Sequence, residues 1–330
     1  MLKNTALVTA VSAAMVLPAQ VMAQDINFEF YGSARLQAEY VTPDERDVLG
    51  SYTGARDAYS RIGFNADYAL HPGVTLVGQL ELPLDLANRK VQFADDADED
   101  IRLATIGLEG DFGSVYYGRM WLPYYNAVVF PIDMFNSFYS GFGTFTGFRR
   151  SDTISYYSPS LNGFSFAGAW SNNGGDSGDD RFQLTGSYSI GDTTFAVGLD
   201  DVDGDDNTRF YGASVMHSVG DWYFGAKIEY IDSDEKDDKF GRDSDTAVNV
   251  FASYTMGQHT FMGMLADVDN LGGNVYHVGY SFAFNDALTL FSEFYYEQEM
   301  AAIRGERLTT GDTDDFGGGQ VLAVGARYDF

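Results

Sequence analysis

From Ile26 to Tyr40 the side chains alternate in kind. Phe28, Phe30, Gly32, Ala34, Leu36, Ala38 and Tyr40 are apolar or small, and Asn27, Glu29, Ser33, Arg35, Gln37 and Glu39 stand between them. A period of two describes a strand whose faces meet different solvents. The pattern returns with Ile62, Phe64, Ala66, Tyr68 and Leu70 against Arg61, Asn65 and Asp67. After a turn through His71, Pro72 and Gly73 it returns again, with Val74, Leu76, Gly78, Leu80, Leu82, Leu84 and Leu86 against Thr75, Gln79, Glu81 and Asp85. Outward leucines at this density, with little lysine opposite, fit lipid on one face and water on the other better than a soluble sandwich.

Further strands are predicted near 101–110, 114–120, 150–158, 163–172, 181–190, 193–202, 208–219, 222–233, 245–256, 259–267, 274–284, 288–300 and 318–330, about sixteen in all. Alternation is imperfect at 101–110, 208–219 and 259–267, so these rest on spacing. The connections are tight at 71–73, 110–113, 159–163, 191–192, 220–221, 257–258 and 285–286. They are long at 41–57, 87–100, 121–149, 173–180, 203–207, 234–244, 268–273 and 301–317. Tight and long connections in alternation, with both termini on one side, predict an all-β fold: a transmembrane antiparallel β-barrel with a short-turn rim and a long-loop rim. Lipid also leaves a closed barrel as the one alternative to helices, and beyond residue 24 no apolar stretch is long enough for a spanning helix.

The amino terminus reads as an export leader. Lys3 is followed by the apolar run 6–17, Pro18 and a small-x-small site at Val21, Met22 and Ala23, which predicts a signal peptide over 1–23 and a barrel over 24–330. Composition agrees, with 26 Phe, 22 Tyr, 37 Gly and only 7 Pro suiting strands and interfacial aromatic girdles. Cysteine is absent, which removes thiol chemistry and a disulfide framework. The net charge of −28 argues against nucleic acid as a partner and for attraction of cations.

One segment departs from alternation for about thirty residues, and a loop of that length in a compact protein is more often functional than idle. Between 121 and 149 it carries Trp121, Tyr124, Tyr125, Phe130, Phe135, Phe138, Tyr139, Phe142, Phe145 and Phe148. So apolar a loop is expected to fold into the barrel and narrow it, the alternative being an external loop packed on neighbouring loops or subunits. Its one carboxylate is Asp133.

The residues flanking this loop carry a family resemblance. The run 110–119, Gly-Asp-Phe-Gly-Ser-Val-Tyr-Tyr-Gly-Arg, resembles the strand that leads into the constriction loop of the Gram-negative general porins. The run 149–159, Arg-Arg-Ser-Asp-Thr-Ile-Ser-Tyr-Tyr-Ser-Pro, followed by Asn162, Gly163 and Phe164, is similar to the exit from that loop. The carboxyl-terminal strand, with Tyr328 and Phe330, resembles the signal read by the barrel assembly machinery of such membranes. The resemblance implies a homotrimer of sixteen-stranded barrels in the outer membrane, among lipid and lipopolysaccharide, each with a water-filled channel for ions and small hydrophilic solutes. It implies an acidic group on the third loop facing wall arginines, and a second loop, 87–100, that latches a neighbouring subunit. Asp133 matches the acidic position, while Asn136 and Ser137 stand where a second acid is common, which implies a weaker transverse field. Arg35 and Arg61 face the lumen by alternation, and Arg119 is placed there by motif match alone, the alternative for each being a rim residue or a lumen salt bridge.

Other constellations are weaker. Asp201, Asp203 and Asp205 have calcium-loop spacing, but Gly212 stands where an EF-hand places its bidentate Glu, so a solvated loop tip is expected. Loose Ca²⁺ or Mg²⁺ bridging acidic external loops to lipopolysaccharide phosphates is the alternative; no other cofactor is implied. His71, His217, His259 and His277 lack metal-ligand spacing, and the glycines at 141, 143 and 147 do not form a dinucleotide fingerprint. The expected function is a non-enzymatic porin for passive diffusion. A substrate-selective channel, an adhesin or structural barrel, and a barrel enzyme remain alternatives, the last lacking cysteine, a GxSxG motif and an evident Ser/His pair.

Overall fold

Backbone polar groups cannot be left open in lipid, and the strands answer by closing on themselves. The computed structural model describes residues 26–44, 50–88, 101–140, 143–172, 180–203, 207–233, 244–268, 273–299 and 317–330. The predicted leader, the acidic run 95–100 with most of the predicted second loop, and much of the acidic loops near 204–206, 234–243 and 300–316 lie outside them.

Within them are β1 (Asn27–Pro43), β2 (Tyr52–Asp57), β3 (Ser60–His71), β4 (Val74–Leu84), β5 (Leu103–Gly110), β6 (Gly113–Trp121), β7 (Arg149–Tyr157), β8 (Phe164–Ser171) and β9 (Arg181–Ile190). There follow β10 (Thr193–Val202), β11 (Thr208–Val219), β12 (Trp222–Asp232), β13 (Ser244–Met256), β14 (His259–Val268), β15 (Gly273–Ala283), β16 (Leu288–Glu299) and β17 (Gly317–Asp329). From β3 onward each strand pairs antiparallel with the next, and β17 returns to β1 in a register running from Ser33↔Asp329 to Pro43↔Gly319. Because β2 and β3 pair with successive stretches of β1, they form one wall strand in two pieces, and the closed barrel has sixteen positions.

The break between β2 and β3 corrects the reading of 41–57 as loop throughout. Tyr59 sits at φ 68°, an uncommon conformation for a bulky residue. Ser60 bridges the break, its hydroxyl accepting from Arg35 N at 2.7 Å and donating to Arg35 O at 3.1 Å. The kink turns Tyr59 inward, where its ring stacks on Phe138 at 5.2 Å. Alternation was misleading here because the strand changes face at the bulge.

Along β1 the faces follow the sequence pattern. Leu36, Ala38 and Tyr40 are exposed while Arg35, Gln37 and Glu39 are buried inside. Phe330 completes the seam: Gly32 N donates to Phe330 O at 2.7 Å, and Phe330 N donates back to Gly32 O at 3.1 Å. A Cβ on Gly32 would fall 2.4 Å from the Phe330 ring, so a side chain there would have to displace that ring. The apolar core lies inside the barrel, between the wall and the segment joining β6 to β7. Tyr124, Val128, Val129, Ile132 and Phe135 pack there on Phe210, Phe251, Met262 and Met264.

Candidate pore constriction

The segment 122–148 folds inward, and its neck is closed by Leu122 N donating to Phe148 O at 2.9 Å. Two short helical turns follow, Tyr125–Val129 and Phe130–Ile132, neither with a side-chain cap. Pro131 at the start of the second turn is the one helix-start signal the sequence carries for them. Glycines on the inner wall let this segment approach closely. A Cβ on Gly198 would come within 2.8 Å of the Tyr124 ring, on Gly212 within 2.1 Å of its hydroxyl, and on Gly225 within 2.3 Å of Pro131 O. Gly198 and Gly212 are paired across β10 and β11, giving Tyr124 and Val128 a single recess.

Beyond the glycine track the wall offers polar anchors to a backbone that would otherwise be buried unpaired. Tyr124 N donates to Gln183 Oε1 at 2.9 Å and Tyr223 Oη to Pro131 O at 2.8 Å. The Glu293 carboxylate accepts from both Asn136 N, at 2.8 Å, and Ser137 N, at 3.0 Å. Phe138 N donates to Gln37 Oε1 at 2.8 Å, and Tyr139 Oη to Glu39 Oε2 at 3.1 Å. On the return, Thr144 Oγ1 donates to Glu229 at 2.8 Å, Lys227 Nζ to Gly143 O at 2.6 Å, and Thr146 Oγ1 to Asp200 at 2.5 Å. These partners lie on β9 to β16 and on β1, so the segment lines that arc and leaves the inner face of β3 to β6 open, meeting β7 through Asn126 Nδ2, which donates to Tyr157 Oη at 3.1 Å.

Asp133 follows the second helical turn and stands at the open edge. Its Oδ2 accepts from Tyr125 Oη at 2.6 Å. Burial raises its pKa above the ordinary aspartate value, opposed by that hydrogen bond and then by the charges of Arg35 and Arg102. Tyr125 is pushed upward in turn, by burial first and by Asp133 second. Across from them Arg35, Arg61, Arg102 and Arg327 lie within electrostatic reach of one another. Arg35 Nε donates to Ser33 Oγ at 2.7 Å, Arg61 Nε lies 3.5 Å from Glu81 Oε2, and Arg102 pairs with the other Glu81 oxygen.

The structure therefore places Asp133 within electrostatic reach of Arg35 and Arg102, and Arg35 within reach of Arg61 and Arg327, with Glu81 paired to both Arg61 and Arg102. Arg119 is a correction. It is paired with Ala104 across β5 and β6, and paired residues share a face, here the outer one with Ile106 and Tyr117, 55% and 54% exposed. Its Nη1 donates to Ser151 Oγ at 3.3 Å. The register shifts between Gly118, at φ 132°, and Met120, where Arg119 stands against both Ser151 and Asp152, and Met120 and Trp121 beyond it line the lumen. Arg102 falls within the predicted strand 101–110, but β5 begins only at Leu103, so alternation did not place its side chain; Arg102 N donates to Glu81 O at 2.9 Å. Sequence reasoning missed Arg56, which donates to Glu39 at 3.2 Å and lies over Phe138 at 4.3 Å, because that stretch was read as loop. Trp121 is enclosed by Tyr125, stacked at 4.3 Å, and by the guanidinium groups of Arg149 and Arg102 at 4.6 and 4.9 Å.

Below this belt, toward the short-turn rim, the open arc encloses a cavity of about 810 Å³. Among the described residues no cluster of His, Asp and Glu could hold a metal ion.

The Vibrio furnissii chitoporin is 30% identical over 166 residues, which are 47% of this chain and 43% of that protein. Outer membrane protein Omp-EA of Erwinia amylovora is 32% identical over 100 residues, 30% of this chain and 24% of that protein. The chain thus aligns with less than half the length of either. Two solved folds extend over nearly all of it. The anion-selective porin of Comamonas acidovorans has a TM-score of 0.71 at 18% identity, covering 93% of this chain and 100% of that one. Salmonella typhi OmpF in complex with daunomycin has 0.68 at 17%, covering 92% and 97%. The profile of the Gram-negative porins matches residues 8–301. With a closed sixteen-position barrel and an inward third loop behind that match, the chain belongs to the Gram-negative porin family.

Proposed function

We propose that this protein is a passive diffusion channel of the outer membrane, active as a homotrimer, which passes ions and small hydrophilic solutes without making or breaking a bond. The observation that carries this reading is the course of segment 122–148. It is anchored along one arc of the wall and leaves the other arc open, with Asp133 facing Arg35 and Arg102 across the gap. Solutes are then sorted by size and by the charges at that gap. A trimer is supported by likeness to the Vibrio cholerae OmpT fold, solved in a trimer form, at a TM-score of 0.65.

Single-channel recording on the purified protein tests the reading. Open, weakly gated conductance in KCl is expected, and shortening the loop between Phe138 and Phe145 should raise it and admit larger sugars. A folded barrel that conducts no ions would overturn the reading. An unchanged conductance in the shortened variant would mean that the loop is not the constriction.

A further inference from the structure

Resting on the reading of the lumen as an open path, we infer that the cavity on the short-turn side of the arginine belt is a binding subsite for a neutral pyranose ring of a short oligosaccharide. Tyr116 is paired with Gly107, and a Cβ on that glycine would fall 2.4 Å from Cδ1 of the ring. The ring therefore covers the glycine, flat against the wall, and its other face looks into the cavity that it lines. Outside the lining, Tyr31 covers Gly63 in the same way, with the would-be Cβ 2.6 Å from its Cζ. Tyr157 stands beside Tyr116 at 73°, centroids 6.0 Å apart, so the two rings form a corner.

Hydrogen bonds hold these rings in place. Tyr116 Oη donates to Glu109 Oε1 at 2.6 Å, Tyr157 Oη accepts from Asn126 Nδ2 at 3.1 Å, and Tyr31 Oη accepts from Gln79 Nε2 at 2.9 Å. A locked aromatic face loses little freedom when a ligand stacks on it. A pyranose has a flat C–H face for such a ring and hydroxyls around its edge for amides and carboxylates. The cavity supplies both: Gln79 and Asn65 as amides, Asp67 and Glu109 as carboxylates. No lysine or arginine is among its lining residues, so it disfavours anionic sugars. Trp121 adds only an edge, because Tyr125 and the two guanidinium groups cover its faces. At about 810 Å³ the space is of ligand size.

The test is block of single-channel current by added sugar, on the assembled protein in a planar bilayer. Maltotriose and tri-N-acetylchitotriose are the neutral probes and trigalacturonate the anionic one. At least one neutral probe should give saturable, concentration-dependent interruptions, and trigalacturonate should give none. Tyr116→Leu keeps an apolar cover over Gly107 but removes the aromatic face, and should weaken the apparent affinity about tenfold with KCl conductance retained. Tyr116→Phe keeps the face and should retain binding, which a purely structural role for the ring would not distinguish from Leu. If Tyr116→Leu does not assemble, Tyr157→Leu carries the same expectation. Absence of saturable block by both neutral sugars in a conducting channel, block by trigalacturonate, or undiminished affinity in the leucine variant would overturn the subsite. Loss of KCl conductance in the unaltered protein would instead overturn the diffusion reading.

Discussion

At the residue scale, Asp133 supplies the loop's negative charge at the gap, because it is the only carboxylate of its loop and Tyr125 fixes its direction. Asp133→Asn should shift the reversal potential in a KCl gradient toward anions, and neutralising Arg35 or Arg61 should shift it toward cations. Arg119→Gln should leave it unchanged, since that side chain lies on the outer face with Tyr117. An equal shift in Arg119→Gln would mean that the lumen is lined differently. The pH dependence follows from the same carboxyl. Burial raises its pKa in the folded protein, so as pH falls it takes up a proton before an exposed aspartate would. Cation preference should therefore begin to fall above the usual aspartate range and converge on that of Asp133→Asn. By linkage the raised value contributes stability that is full at low pH and lost as pH rises through the folded pKa. A wild-type profile parallel to that of the variant would show that Asp133 does not titrate at the constriction.

At the scale of elements, the third loop is held by missing side chains as much as by present ones. Gly225 shows this most directly, since a Cβ there would meet the Pro131 carbonyl, part of the turn that leads into Asp133. Gly225→Ala should push that turn into the lumen, lowering single-channel conductance and costing about 1–3 kcal/mol of stability, as overpacking does in other tight sites. A heat-modifiability midpoint and conductance equal to wild type would show that the wall yields instead. The closing strand makes a separate prediction. Phe330 contributes two backbone hydrogen bonds to Gly32 and stacks with Tyr328 at 5.7 Å, so its deletion opens the end of the β1 to β17 seam. The yield of folded, heat-modifiable protein in the outer membrane should fall. Normal yield would remove the assembly role of this residue.

For the whole molecule, charge acts at two distances. The net charge of −28 favours cations at the channel mouths, while the arginine belt at the gap favours anions. Mouth charges act through water and fade beyond a Debye length of about 8 Å at physiological salt. Charges at the gap are screened less, because water there is scarce. A modest cation preference at low salt should shrink as salt rises, measured by reversal potentials at a fixed gradient ratio. A preference that grows with salt would contradict this division of labour.

The sequence by itself determined the barrel, because lipid demands alternation and closure, and both are local or periodic properties written in every strand. Leu36 outward and Gln37 inward follow from period two alone, and Phe330 at the last outward position marks the seam. That the third loop turns inward was also legible, since ten aromatic residues could not remain in water. Where it lies was not. Its path depends on Gly198 and Gly212 pairing across β10 and β11, on Gly225 standing opposite Met216 on the next strand, and on Glu229 and Glu293 reaching it from far along the chain. Those alignments are properties of register around the barrel. The same is true of the gap: period two placed Arg35 and Arg61, but the register shift after Gly118, the break at Tyr59 and the position of Arg102 outside any strand are tertiary events. Each changes which face a side chain takes, and only the closed structure decides it.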